Sequence, residues 1–210
     1  ETASALLLVL GLVSVLPLLE GLYRAIRMFM RTRDRLLQWR HRGRNTPQVG
    51  APYEFVEVSS GDLALCVGGY LRPTIYASTQ VLRSLEPEEL SAALAHEVSH
   101  AHRRDPLRLL WLGSCPDFLR LFRLDGLWRR TFARACEFAA DAGASRGNPE
   151  AGLDLASALV KVARLQAFGP HRAEALADVA VSSAFSSPGD LEARVEALAN
   201  PRPETATAGR

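Results

Sequence analysis

The chain has 210 residues, 48% of them hydrophobic and 23% charged, with a formal net charge of +2. That is enough apolar material for one sizeable core, so one globular domain is the default, and the charge is too small to argue for a nucleic-acid partner. Cys66, Cys115 and Cys136 are odd in number and in no metal-ligand spacing, which fits reduced cytosolic thiols.

The first predicted element is Ala3 to Leu19, a run with no charged residue. At about 1.5 Å per residue it would extend roughly 25 Å as a helix, close to a bilayer's thickness if Gly21 to Tyr23 continue it. Its positive charges follow it rather than precede it, which excludes a secretory signal and predicts a membrane helix. Pro17 is tolerable there because it falls near the interface. The chain opens with Glu rather than Met and its first residues already lead into this apolar run, which reads as an internal piece of a longer protein. Arg24, Arg27, Arg31, Arg33, Arg35, Arg40, Arg42 and Arg44 crowd the following stretch. By the positive-inside rule they place what lies downstream in the cytoplasm, with the lipid bilayer as a partner.

Residues 41–55, rich in Gly, Pro and polar side chains, read as a linker. Three strand-like runs follow, Phe55 to Val58, Leu63 to Val67 and Thr74 to Ala77, separated by turn residues. They predict a small antiparallel sheet. A helix is expected from Ser84 to about Arg104, with Pro87 in its first turn and Glu86, Glu88 and Glu89 complementing the dipole. Leu107 to Phe122 is too polar to span a bilayer and predicts two short helices; further helices are expected over 127–144, 149–168 and 188–199. The expected fold class is α+β, mostly helical.

The third helix region carries "LAHEVSH", which puts His96 and His100 four residues apart with Glu97 beside the first. On a helix that spacing sets both imidazoles on one face, where they can grip one cation, and zinc takes neutral imidazole nitrogens without straining the helix. Glu97 lies about 100° round the helix, near enough to act as general base on a zinc-activated water without occupying the metal. A catalytic zinc needs a third protein ligand, and "CEFAADAGA" offers Glu137, with Asp141 four residues on. Asp141 would accept a hydrogen bond from the distal nitrogen of His96. The same face carries Ala133, Ala140 and Ala144, so these are not the carboxylates of a solvated surface, and without a cation they would be costly to bury. One Zn2+ per chain is the implied cofactor.

HExxH followed by ExxxD on a later helix resembles the gluzincin metalloproteases, in their integral-membrane branch. The stretch "GGYLRPTIYASTQVLRSLEPEELSAALAHEVSHAHRRDPLRLL", with "RACEFAAD", resembles the BlaR/MecR-type antibiotic-sensor peptidases over roughly residues 52–200. The HtpX/CAAX-prenyl-protease type is the close alternative, but the histidine it would place near Ser187-Pro188 is missing. The resemblance implies a membrane-anchored minigluzincin domain with an HExxH active-site helix, acting as a zinc metalloendopeptidase on a peptide or protein substrate. It implies a bacterial inner membrane, with the catalytic domain cytoplasmic. The organisation expected is a transmembrane helix over 1–23, an arginine-rich juxtamembrane helix and linker over 24–50, the peptidase domain over 51–200 and a disordered tail over 201–210.

Several residues keep two readings. Thr74, Ile75, Tyr76 and Ala77 form either an edge strand that aligns an extended substrate or a plain core strand. Arg194 is either the catalytic donor to the oxyanion or part of an ordinary helix ion pair; His171, in a loop, is a weaker donor candidate. His102 faces away from the ligands, and Asp105 caps the next helix or pairs with Arg103 or Arg104. At the level of function, regulatory cleavage of a cytosolic protein stands against membrane-protein quality control and against a non-catalytic signalling or scaffold module on the same fold. Oligomeric state is not legible.

Overall fold

A computed structural model of the chain describes residues 2–45, 52–59, 65–115, 125–145, 148–167, 182–183 and 188–200, with the side chains of 2, 3, 5–10, 12, 13, 125, 167, 182, 183 and 188 left aside. The expected tail at 201–210 and His171 lie outside the described residues. Helix α1 (Thr2–Arg42) runs unbroken through both the apolar run and the arginine-rich stretch. Among the described residues no helix is long and apolar enough to cross a membrane.

The arginine-rich half of α1 belongs to the domain. Thr32, Leu36 and Trp39 recur at helical spacing on one face, and Trp39 is buried against Val56, Val58, Cys66 and Tyr76 of the sheet. Tyr70 donates its hydroxyl hydrogen bond to Thr32 Oγ1 over 2.7 Å, and Phe29 stacks on the Tyr70 ring with centroids 5.6 Å apart. Arg27, Arg33, Arg40 and Arg42 are exposed on the outward side of this helix, while Arg24, Arg31 and Arg35 are partly buried.

The sheet corrects three expectations. Its strands are β1 (Gly43–Asn45), β2 (Glu54–Val58), β3 (Leu65–Gly68), β4 (Thr74–Ser78) and β5 (Ser182–Ser183), in the order β1-β2-β4-β3-β5. It is mixed rather than antiparallel, because β2 and β4 pair parallel while β3 pairs antiparallel with β4. The expected linker contributes β1, which follows α1 directly and pairs with β2 through Gly43 and Val58, so the burial of Trp39 brings its own continuation onto the sheet. Thr74, Ile75, Tyr76 and Ala77 are not an edge: β4 is bonded on both sides, and it is buried along its length. The core-strand reading is the correct one.

Helix α2 (Thr79–Ser84) follows β4, its first turn capped by Ser78 Oγ accepting from the Val81 N–H at 3.2 Å. Helix α3 (Pro87–Arg103) starts with Pro87 at its N-terminal position and a capping box between Glu86 and Glu89. Helix α4 (Asp105–Ser114) begins after one intervening residue, and the remainder of the stretch expected to hold a second short helix lies, over 116–124, outside the described residues. Helices α5 (Asp125–Ser145), α6 (Pro149–Ala167) and α7 (Pro188–Ala199) complete the fold. One core lies between the sheet and α3 and α6, built on Phe55, Leu65, Val67, Ile75, Val81, Ala93, Ala158 and Val162. A second joins α3, α5, α6 and α7 through Ala92, Ala144, Leu155, Leu159 and Leu198. Helix α3 therefore lies between the two cores, and its buried face carries the polar residues His96, Glu97 and His100.

Candidate metal centre

Helix α5 crosses α3 closely because the contact is made of small residues. A Cβ at Gly143 would sit 2.5 Å from Ser99 Oγ and 3.3 Å from its Cβ, and Ala140 and Ala144 are buried beside it. This approach brings Glu137 and Asp141, one turn apart on α5, against the two histidines of α3. His96, Glu97 and His100 are at most 1% exposed, and Glu137 is 5% exposed.

The distances define a three-sided nest. His96 Nε2 and His100 Nε2 are 3.1 Å apart, Glu137 Oε2 is 3.5 Å from the former and Glu137 Oε1 is 3.5 Å from the latter. Ligand atoms bonded at about 2.0 to 2.1 Å round a tetrahedral zinc stand roughly 3.3 Å from one another, so this donor set fits the ion. The other ring nitrogens settle the tautomers. His96 Nδ1 is 2.9 Å from Asp141 Oδ1 and His100 Nδ1 is 2.8 Å from Asp105 Oδ2. Acceptors there hold both protons on Nδ1 in the neutral rings, so both Nε2 lone pairs converge with a carboxylate oxygen on one point. Acceptors that converge in a buried place call for a cation or for protons.

The charges respond accordingly. Burial lowers the basicity of His96 and His100, but their carboxylate partners outweigh it, Asp141 and Glu137 for His96, and Asp105 and Glu137 for His100, which is pushed up to about 10. Burial raises Glu137 while the hydrogen bonds from His100 and His96 outweigh it and hold the group well below the ordinary carboxylate range. Glu97 moves the other way: burial pushes it up, against the pull of His96 and His100. Its Oε2 is buried with no hydrogen-bond partner among the described residues, next to a small recess lined by His96 and otherwise by apolar side chains, among them Leu65, Ala93, Leu155 and Val162.

Arg194 belongs to this centre, but not in the oxyanion role. It is 1% exposed, its Nε and Nη2 donate to the two oxygens of Asp141 at 2.7 Å each, and its Nη1 lies 2.9 Å from Glu137 Oε2. A guanidinium committed to two carboxylates positions them. The ion-pair reading is the one that fits. Of the sequence-predicted residues, His96, Glu97, His100, Glu137, Asp141 and Arg194 come together, while Thr74 to Ala77 lie in the sheet interior and β3 is the strand whose Leu65 reaches the recess. Asp105, expected as a helix cap or an arginine partner, also lies against His100 Nδ1. The turn that delivers it is a backbone feature, and the one available signal was an acid just past the end of the helix.

His96, His100 and Glu137 form a donor set for one metal ion, with Glu97 beside it. Residues 44–127 of the chain match the family described as Peptidase family M48. No curated protein and no solved structure matches the chain. The matched segment contains His96, Glu97, His100 and Asp105 and ends before Glu137. It supports an M48 metallopeptidase, a zinc-dependent class, and does not separate the BlaR/MecR type from the HtpX type.

Proposed function

We propose that the chain is a membrane-anchored zinc endopeptidase with its catalytic domain in the cytoplasm, and that its substrate is an extended peptide segment of a protein. The observation that carries the reading is the convergence of His96 Nε2, His100 Nε2 and the Glu137 carboxylate at tetrahedral-edge separations beside a carboxylate, Glu97, whose Oε2 has no hydrogen-bond partner among the described residues. His96, His100 and Glu137 would hold the zinc, and a zinc held there supplies Lewis acidity to a peptide carbonyl and to water. Glu97 takes a proton from the water and returns it to the departing amine nitrogen; burial raises its affinity for that proton. Arg194 and Asp141 keep Glu137 and His96 in place throughout. Anchoring in the bilayer is supported by the uncharged run Ala3 to Leu19 and the arginines that follow it.

A scan of peptide cleavage by the zinc-loaded chain tests this. Glu97→Gln is expected to bind zinc as the wild type does and to cleave at least ~10²-fold more slowly. Equal signalling or binding function in both, with no cleavage by either, would instead establish a scaffold. By the resemblance the cleavage is regulatory, with one cytosolic protein as target; comparable cleavage of many unfolded membrane proteins would favour quality control.

A further inference from the structure

The junction between α3 and α4 is built around one unusual residue. Arg104 has φ 55° and ψ 40°, and it is the one non-glycine with positive φ among the described residues. A non-glycine side chain in this left-handed region is strained, and such strain persists only where its surroundings enforce it. What the strain achieves is local. Arg104 N–H donates to Ala101 C=O at 3.1 Å, closing α3, and Arg104 C=O accepts from Arg108 N–H at 3.1 Å, opening α4. One residue thus reverses the chain, and Asp105 is folded back beneath His100, both side chains fully buried.

Resting on the zinc reading of the site, we infer that Asp105 is the positioning carboxylate of His100 and that the left-handed Arg104 is the device that holds it there. His100 Nδ1 donates to Asp105 Oδ2 over 2.8 Å. Arg103 Nε lies 3.5 Å from the same oxygen and Arg108 Nη1 lies 3.5 Å from the other, so two guanidinium groups flank the carboxylate at ion-pair distance. The second histidine of the centre is thereby served as the first is served by Asp141. A carboxylate on the distal nitrogen fixes ring orientation and raises the basicity of the ligating nitrogen; losing it costs about 10- to 100-fold in metal affinity. Asp105 is not one of the three groups that converge on the metal position, so its role is positioning.

The experiment is zinc affinity by competition with a chromophoric chelator, together with the visible spectrum of the cobalt(II)-substituted chain. Asp105→Asn keeps the shape and removes the charge. It is expected to weaken zinc about 10- to 100-fold and to shift the cobalt bands, in a chain whose metal-free circular dichroism matches the wild type. Asp105→Glu is the second variant. It keeps the charge between Arg103 and Arg108 but displaces the oxygens from His100, and is expected to weaken zinc in the same direction. Wild-type affinity and an unchanged cobalt spectrum in either folded variant would overturn the inference, leaving Asp105 as a helix-starting residue. A wild-type chain that takes up no zinc would overturn the reading of the whole site, and this inference with it.

Discussion

Arg194 is the largest of the side chains that are almost wholly buried, and every polar atom placed for it faces a carboxylate of the centre. Removing one partner of such a cluster leaves the others charged and unpaired, at about 3 to 5 kcal/mol. Arg194→Ala is accordingly expected to destabilise the metal-free chain by about that amount in denaturant titration, and to loosen zinc by freeing Glu137 and Asp141. Unchanged stability, with only cleavage impaired, would return Arg194 to the oxyanion. The titrations of the metal-free site make a second prediction at this scale. His100 has its pKa raised from the ordinary 6.5 to about 10, so its contribution to stability is complete below 6.5 and is lost as pH rises through about 10. Glu137, held below its ordinary 4.5, contributes above that value and loses its contribution as pH falls through the folded value. Zinc must displace the histidine protons, so binding is expected to release protons at neutral pH and to tighten between pH 6 and pH 9, read by calorimetry in buffers of different ionisation enthalpy. Affinity independent of pH would contradict this. His96, Glu97, His100, Glu137 and Asp141 were legible because helical spacing alone decides which side chains share a face. Asp105 was not, because no propensity rule places an arginine in the left-handed region.

Among the elements, α3 is the one on which the site depends, and its attachment can be tested away from the metal. Glu89 Oε1 accepts from Ser157 Oγ at 2.6 Å, and Oε2 accepts from Lys161 Nζ at 2.7 Å and from the Glu86 N–H at 2.9 Å, tying the start of α3 to α6. Glu89→Ala removes the capping box and both ties, and is expected to cost about 2 kcal/mol in a denaturant melt while zinc stoichiometry stays at the wild-type value. A loss under about 0.5 kcal/mol would show that apolar packing alone fixes the helix. The start of α3 could be read from Glu86, Pro87 and Glu89 because capping chemistry is local. Strand order could not. β4 reads the same as an edge or a central strand until β2 and β3 are known to flank it. Gly43–Asn45 and Ser182–Ser183 carry no alternation of apolar and polar residues, and they are strands only by virtue of their partners.

At the scale of the molecule, α1 divides in two. From Thr32 to Trp39 it is bound to the sheet, and from Val15 to Met30 it presents Leu16, Leu18, Leu19, Leu22, Tyr23, Ile26 and Phe29 to the outside. Exposed apolar surface of this extent beside arginines fits a lipid interface. The full chain is expected to float with vesicles containing anionic lipid, and a chain lacking residues 2–23 to remain folded and stay behind, because the contacts of Phe29, Thr32 and Trp39 are retained. Equal flotation of both would place the membrane contact elsewhere. The central claim is the metal centre itself, and elemental analysis of the purified chain beside Glu137→Ala tests it most directly. The account predicts about one zinc per wild-type chain, lost or strongly loosened in the variant; a folded wild-type chain without zinc, or a Glu137→Ala chain that holds it as tightly, would contradict the assignment of His96, His100 and Glu137 as its ligands.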